Sequence, residues 1–191
     1  NLTNALGFDF TEEQNELLKG VSRVRSLEIL LEIGKVELLE EEKQTFLVQK
    51  NTEYLSFVDK MTSNEILPGI NELLDYLDTQ NISYALGSAS KNAPLILEKV
   101  GLYNRFTAIV DGNDVSKAKP DPEVFLIGAE KLNMKPEDCI VVEDAIAGVE
   151  AANAANMLSI GIGDAELLHE AGYVLSDTTG FTTDFLQKIL N

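Results

Sequence analysis

The sequence predicts an α/β protein: a Rossmann-like parallel sheet covered by helices, preceded by a helical domain. Two observations carry this. From Pro68 onward short apolar runs alternate with amphipathic stretches, and strands that alternate with helices build a parallel sheet with helices on both faces. Before Ile82 the apolar residues follow helical spacing only, with no strand-like run.

In the first third, Thr11 followed by Glu12 and Glu13 marks a helix start. Ser22 to Ile33 spaces Leu27, Leu30 and Leu31 as one helix face. Glu40 to Asp59 is expected to be a long, polar-rich helix with Phe46, Leu47, Tyr54 and Phe57 on or near one side. The boundary is expected within Thr62–Pro68, giving a helical cap over residues 1–63 and an α/β core over residues 64–191. In the core, Ile70, Leu73, Leu74 and Leu77 repeat as an amphipathic helix. Ile82–Leu86 reads as a buried strand, and a helix over Pro94–Val100 closes at Gly101. The remaining strands are expected at Ala108–Val110, Cys139–Val142, Leu158–Gly161 and Tyr173–Leu175. The helices between and after them are expected at Glu123–Leu132, Ala145–Ala155, Ala165–Ala171 and from Thr183.

Composition excludes several classes. A chain of 191 residues with 45% hydrophobic content is globular. A net charge of -17 repels nucleic acid and anionic membranes. It also means that a phosphorylated ligand needs local positive charge, so cations inside motifs matter. Cys139 stands alone, which rules out an internal disulfide and a cysteine zinc cluster. No apolar run reaches membrane-spanning length and no signal peptide is evident. The expectation is a cytoplasmic monomer that binds a small molecule, with no nucleic-acid or membrane partner.

Four segments carry candidate chemistry. Glu143-Asp144 follows an apolar strand, and paired carboxylates there suit Mg²⁺, which takes oxygen ligands and keeps several waters; the competing reading is that Asp144 caps the next helix. Ser88-Ala89-Ser90, with Lys91 and Asn92, opens a helix after a strand and can bind phosphate through hydroxyls and free N–H groups, or be an ordinary serine cap. Lys119 precedes Pro120-Asp121-Pro122 in a rigid turn, where an ammonium can neutralise a transferring phosphoryl group; the same run is also a good helix start. Lys19-Gly20-Val21-Ser22-Arg23 sets two cations around a glycine turn, as an anion clamp or a solvated loop. Lys50 either reaches the same cleft or faces water. His169, the one histidine, lies far from all four. Ligands of open α/β sheets bind beyond the carboxyl ends of the strands, so the core motifs should converge.

Together these segments resemble the haloacid dehalogenase superfamily, and within it the β-phosphoglucomutase branch with its helical cap. The resemblance covers nearly the whole chain. It implies that Ser88 holds the transferring phosphoryl group with Ala89 lending its N–H, that Lys119 is the third-motif lysine, and that Glu143 and Asp144 ligate Mg²⁺. It further implies that Arg23 grips a second phosphate, that Ser90 and Asn92 contact that phosphate or the sugar, and that Lys19, Ser26 and Lys50 line the closed cleft. The Lys19–Arg23 and Ser88–Asn92 segments are the parts most particular to the mutase branch.

The family's first motif, Asp-x-Asp on an N-terminal strand, has no counterpart in these residues. The chain opens at Asn1 in a helix-like stretch, and Asp9 precedes a cap helix with no strand before it. The family places that strand between those ending at Ser88 and Asp144, and an unpaired gap inside a sheet leaves backbone groups unsatisfied. Either the parent carries an additional N-terminal segment or the strands pair in a different way; the first is the expectation, and with it that this stretch alone does not turn over. The resemblance implies a sugar-phosphate mutase interconverting β-glucose 1-phosphate and glucose 6-phosphate through an aspartyl phosphate and a bisphosphate. The alternatives are a phosphatase of the same fold and an inactive chain that binds phosphate or Mg²⁺.

Overall fold

The computed structural model describes residues 6–190; the opening of the expected N-terminal helical stretch, residues 1–5, lies outside them. Helix α1 (Glu12–Glu16) begins where Thr11 and Gln14 cap each other reciprocally. Helix α2 (Arg23–Gly34) begins at Ser22, whose Oγ accepts from the Arg25 N–H at 3.2 Å, and it buries Leu27, Leu30 and Leu31. Helix α3 (Glu40–Val58) packs on α2 and on the core. Its inward stripe is Phe46, Leu47, Asn51, Leu55 and Val58. The expected use of Tyr54 and Phe57 is corrected here, since they are 38% and 61% exposed. Both lie beside the stripe, on the flank that α2 and the core do not cover.

Helix α4 (Ile70–Thr79) follows Gly69 and buries Leu74. Then come β1 (Ala85–Gly87), α5 (Ala93–Val100), β2 (Ala108–Val110), α6 (Glu123–Lys131), β3 (Ile140–Glu143), α7 (Ile146–Ala154), β4 (Leu158–Ile162), β5 (Tyr173–Leu175) and α8 (Thr183–Leu190). The strand expected from Ile82 begins instead at Ala85. The helix expected over Ala165–Ala171 is a series of turns. Asp164 accepts from the Glu166 N–H at 2.7 Å, and Gly172 and β5 follow at once, leaving no length for a helix to propagate.

The strands form two parallel sheets. Ala85, Leu86 and Gly87 pair with Ala108, Ile109 and Val110, and β4 pairs with β3 on one side and β5 on the other. The two sheets are not hydrogen-bonded to each other among the described residues. Side chains join them instead. Val110, Val124, Phe125, Ala129, Val141, Ala151, Ala152, Ala155 and Met157 make one apolar cluster from β2 across α6 to β3 and α7. On the opposite face of β1 and β2, Leu74, Leu97, Val100 and Leu102 form a second cluster. The helical segment meets the core at several points. Lys99 pairs with Asp59 at 3.2 Å, and Gly20 approaches Ala145 so closely that a Cβ on it would lie 2.8 Å from the alanine Cβ. Gly20 also has φ +71°, a left-handed conformation that glycine adopts without strain.

Candidate active site

The carboxyl ends of β1 and β3 open into a cavity of about 440 Å³. Its walls include Gly20 and Val21 from the helical segment, Ser88, Ala89 and Ser90 after β1, Lys119, and Glu143 and Asp144 after β3. Three motifs from the core and one from the helices thus converge on one space.

Each motif is shaped by its local backbone. The Ser88 N–H donates to Val110 O at 2.9 Å, which holds the serine at the strand end. Ser88 Oγ accepts from the Ser90 N–H at 3.1 Å, and Ser90 Oγ from the Asn92 N–H at 3.2 Å, so the loop folds through its own hydroxyls. Neither serine caps α5: the cap position is Asn92, without a side-chain cap bond. Lys119 precedes a cis peptide to Pro120, and Asp121 accepts from the Glu123 N–H at 3.1 Å to start α6. Lys119 is 6% exposed. Its Nζ forms an ion pair with Glu143, donates to Gly87 O at 3.3 Å and lies 4.7 Å from the centre of the Phe125 ring.

Glu143 is buried and Asp144 is exposed. The cap position of α7 is Ala145, with no side-chain cap bond, so Asp144 is not spent on capping. Its carboxylate adds to the attraction that Lys19 feels: the hydrogen bond that Lys19 donates to Glu16 is the largest cause raising its ammonium above the usual range, and the charges of Glu16 and Asp144 add to it. The donor chemistry of the Glu143-Asp144 pair fits Mg²⁺, which is bound by one or two carboxylates with waters and substrate phosphate completing its shell. No cluster of three or more potential metal-ligating side chains occurs among the described residues.

Of the other expected residues, Lys19, Ser22, Arg23, Ser26, Lys91 and Asn92 lie near lining residues in sequence but are not themselves among those that line the cavity. Lys19 pairs with Glu16 at 2.8 Å. Ser22 caps α2, and half-buried Arg23 and Ser26 follow it in the first turn and a half of that helix. Lys91 is exposed on the loop rim. Lys50 is corrected: it pairs with Glu53 at 3.0 Å on the exposed side of α3, 62% exposed, and does not line the cavity. Adjacent helical positions point about 100° apart, and it is the neighbour, Asn51, that faces the core. Asp9 is exposed ahead of α1 and away from the cavity lining.

Sequence reasoning missed Leu67, Leu86, Val142, Ile162 and Thr178, which also line the cavity. It also missed Gly148, where a Cβ would collide with the Glu143 carboxylate. A glycine in the first turn of an otherwise alanine-rich helix, four residues after Asp144, was the available signal.

Serine, lysine and paired-carboxylate motifs thus converge on one cavity of an α/β fold. The chain belongs to the haloacid dehalogenase-like hydrolase family, whose profile matches residues 3–162. It is 37% identical over 190 residues to the β-phosphoglucomutase of Bacillus subtilis (strain 168), spanning 98% of this chain and 84% of that protein. It is 30% identical over 181 residues to a phosphorylated carbohydrates phosphatase of Thermotoga maritima, spanning 91% and 81%. Its structure matches the crystal structure of β-phosphoglucomutase from Clostridium difficile with a TM-score of 0.92 and 42% identity, covering 100% of this chain and 86% of that one. No helix among the described residues is long and apolar enough to cross a membrane.

Proposed function

We propose that the protein is a Mg²⁺-dependent sugar-phosphate mutase, interconverting β-glucose 1-phosphate and glucose 6-phosphate through an aspartyl phosphate and a bisphosphate. The observation that carries this reading is the meeting of Gly20 and Val21 with Ser88–Ser90, Lys119, Glu143 and Asp144 around one cavity. Gly20 and Val21 sit between Lys19 and Arg23 in sequence, so two cations adjoin the lining of a site whose chain has a net charge of -17. A hydrolase that releases one phosphate needs no such second grip, whereas a mutase must hold the phosphate that is not transferring.

In this reading residues 1–63 form a cap over the core, residues 64–191. Glu143 and Asp144 hold Mg²⁺, which when bound offsets the negative charge of the phosphoryl oxygens. Lys119 neutralises the transferring group, and Ser88 with the Ala89 N–H orients it. Arg23, with Lys19 and Ser26, holds the distal phosphate, and Ser90, Lys91 and Asn92 complete the sugar side. The docked cap excludes water, which favours a sugar hydroxyl over hydrolysis. The reaction needs a nucleophilic aspartate besides the residues named, so the activity is proposed for a protein that carries one.

The relation to a carbohydrate phosphatase keeps phosphatase chemistry as the second reading. Turnover of β-glucose 1-phosphate by the full-length protein, with and without glucose 1,6-bisphosphate, tests the proposal. Glucose 6-phosphate formed in a bisphosphate-dependent way is expected. Steady release of inorganic phosphate without isomerisation would replace the mutase with the phosphatase.

A further inference from the structure

One hydrogen bond joins side chains across the cleft between α3 and the loop after β1. Asn92 Nδ2 donates to Asn51 Oδ1 at 3.0 Å, linking positions 41 residues apart, in a partly buried setting. Asn51 is the one amide in the inward stripe of α3, whose other members are Phe46, Leu47, Leu55 and Val58. A polar group in such a stripe is costly unless it is bonded, and its partner here belongs to the loop that lines the cavity. From Asn92 the connection continues inward: its N–H donates to Ser90 Oγ, and the Ser90 N–H donates to Ser88 Oγ. The helix end reinforces the contact, because Lys99 of α5 pairs with Asp59 just past the end of α3.

We infer that Asn51 is a positioning residue: by holding the Asn92 carboxamide it sets the Ser88–Asn92 loop, so that the loop's grip on a phosphorylated sugar depends on α3 being docked. This rests on the mutase reading for the identity of the ligand, and on geometry alone for the coupling. One bond of this kind carries about a tenfold change in affinity. Asn51 touches no reacting atom; it acts through Asn92.

Two measurements on the full-length protein test this. Amide hydrogen exchange in Asn51→Ala should speed up at Ser90 and Asn92 while β4 and β5 keep their wild-type rates. Calorimetric titration with glucose 6-phosphate and Mg²⁺ should give about tenfold weaker binding in Asn51→Ala. Asn92→Ala and the Asn51→Ala/Asn92→Ala double variant should then bind alike, because the first substitution acts through the second residue. Unchanged exchange at Ser90 and Asn92 in Asn51→Ala overturns the inference, as does a double variant whose losses simply add. Faster exchange together with wild-type protein that ignores glucose 6-phosphate would uphold the positioning role and sink the mutase reading instead.

Discussion

Lys119 and Glu143 form a buried ion pair where the two sheets end, with side chains 5% and 8% exposed. Through its second bond to Gly87 O, Lys119 ties the end of β1 to the end of β3, which no backbone hydrogen bond does among the described residues. The pair is both a structural clasp and the centre of the proposed chemistry. Burial makes each partner depend on the other, since an unpaired charge in that position is far more costly than one in water.

Lys119→Ala should therefore cost about 3–5 kcal/mol of stability, because it strands the Glu143 carboxylate. Lys119→Met combined with Glu143→Gln should recover most of that loss, since neither charge is left unpaired. Urea denaturation followed by circular dichroism measures both. A loss below about 1 kcal/mol in Lys119→Ala would mean that the pair behaves like an exposed one.

Gly148→Ala reads the same clasp from the other side. In an ordinary helix the change stabilises by about 1 kcal/mol. Here the new Cβ collides with the Glu143 carboxylate, whose Oε1 is held by Lys119, so that moving away strains the pair. Net destabilisation is expected, with a weaker rise in melting temperature on adding Mg²⁺. A variant that melts higher than wild type would contradict the close packing of Gly148 on Glu143.

These two residues mark where sequence was enough and where it was not. The alternation of β3, α7 and β4 was legible because each apolar run is long enough to declare its period. Ser88 and the Glu143-Asp144 pair stood out because they follow apolar strands, and Lys119 because it precedes a proline-rich helix start. Gly148 was not, because its role is the absence of a side chain opposite a carboxylate several positions away. Asn51 was masked by Lys50: a cation draws attention in a phosphate site, but helical geometry turned its neighbour toward the core. Tyr54 and Phe57 misled because α3 packs on one side only, and the turns at 165–171 misled because helical composition is no substitute for length. The division into two sheets falls between β1 and β3, where the family resemblance places a further strand that local patterns in these residues do not supply.

Acid should loosen the junction of α4 with the turn after α5. Arg105 pairs with Asp78 and with Asp75, the latter at 2.9 Å, and Tyr84 Oη donates to Asp78 at 2.9 Å. The hydrogen bond from Arg105, then that from Tyr84, holds the Asp78 carboxyl below its usual range. A depressed folded-state value contributes stability that is fully present above the ordinary aspartate pKa of about 3.9 and is lost as pH falls through the lower folded value. Urea midpoints measured from neutral pH downward should fall in that window for wild type and fall less for Arg105→Gln. Parallel curves for the two proteins would remove Asp78 from the acid response.

Thr178 fastens the far end of the chain to the segment between α3 and α4. Its Oγ1 donates to Pro68 O at 2.6 Å across 110 residues, and the side of Gly69 facing it has no room, since a Cβ there would lie 2.7 Å from Thr178 O. Gly69 has φ +84°, so the turn needs glycine on two counts. Thr178 is buried and lines the same cavity as Ser88 and Lys119. Thr178→Val keeps the shape but leaves the Pro68 carbonyl without its donor, at a cost of about 1–3 kcal/mol. Thr178→Ser keeps the donor and loses one methyl, which should cost about 1 kcal/mol. Urea denaturation of the two variants separates the bond from the packing: if valine proves no worse than serine, the hydroxyl does not hold this junction, and the methyl contact does.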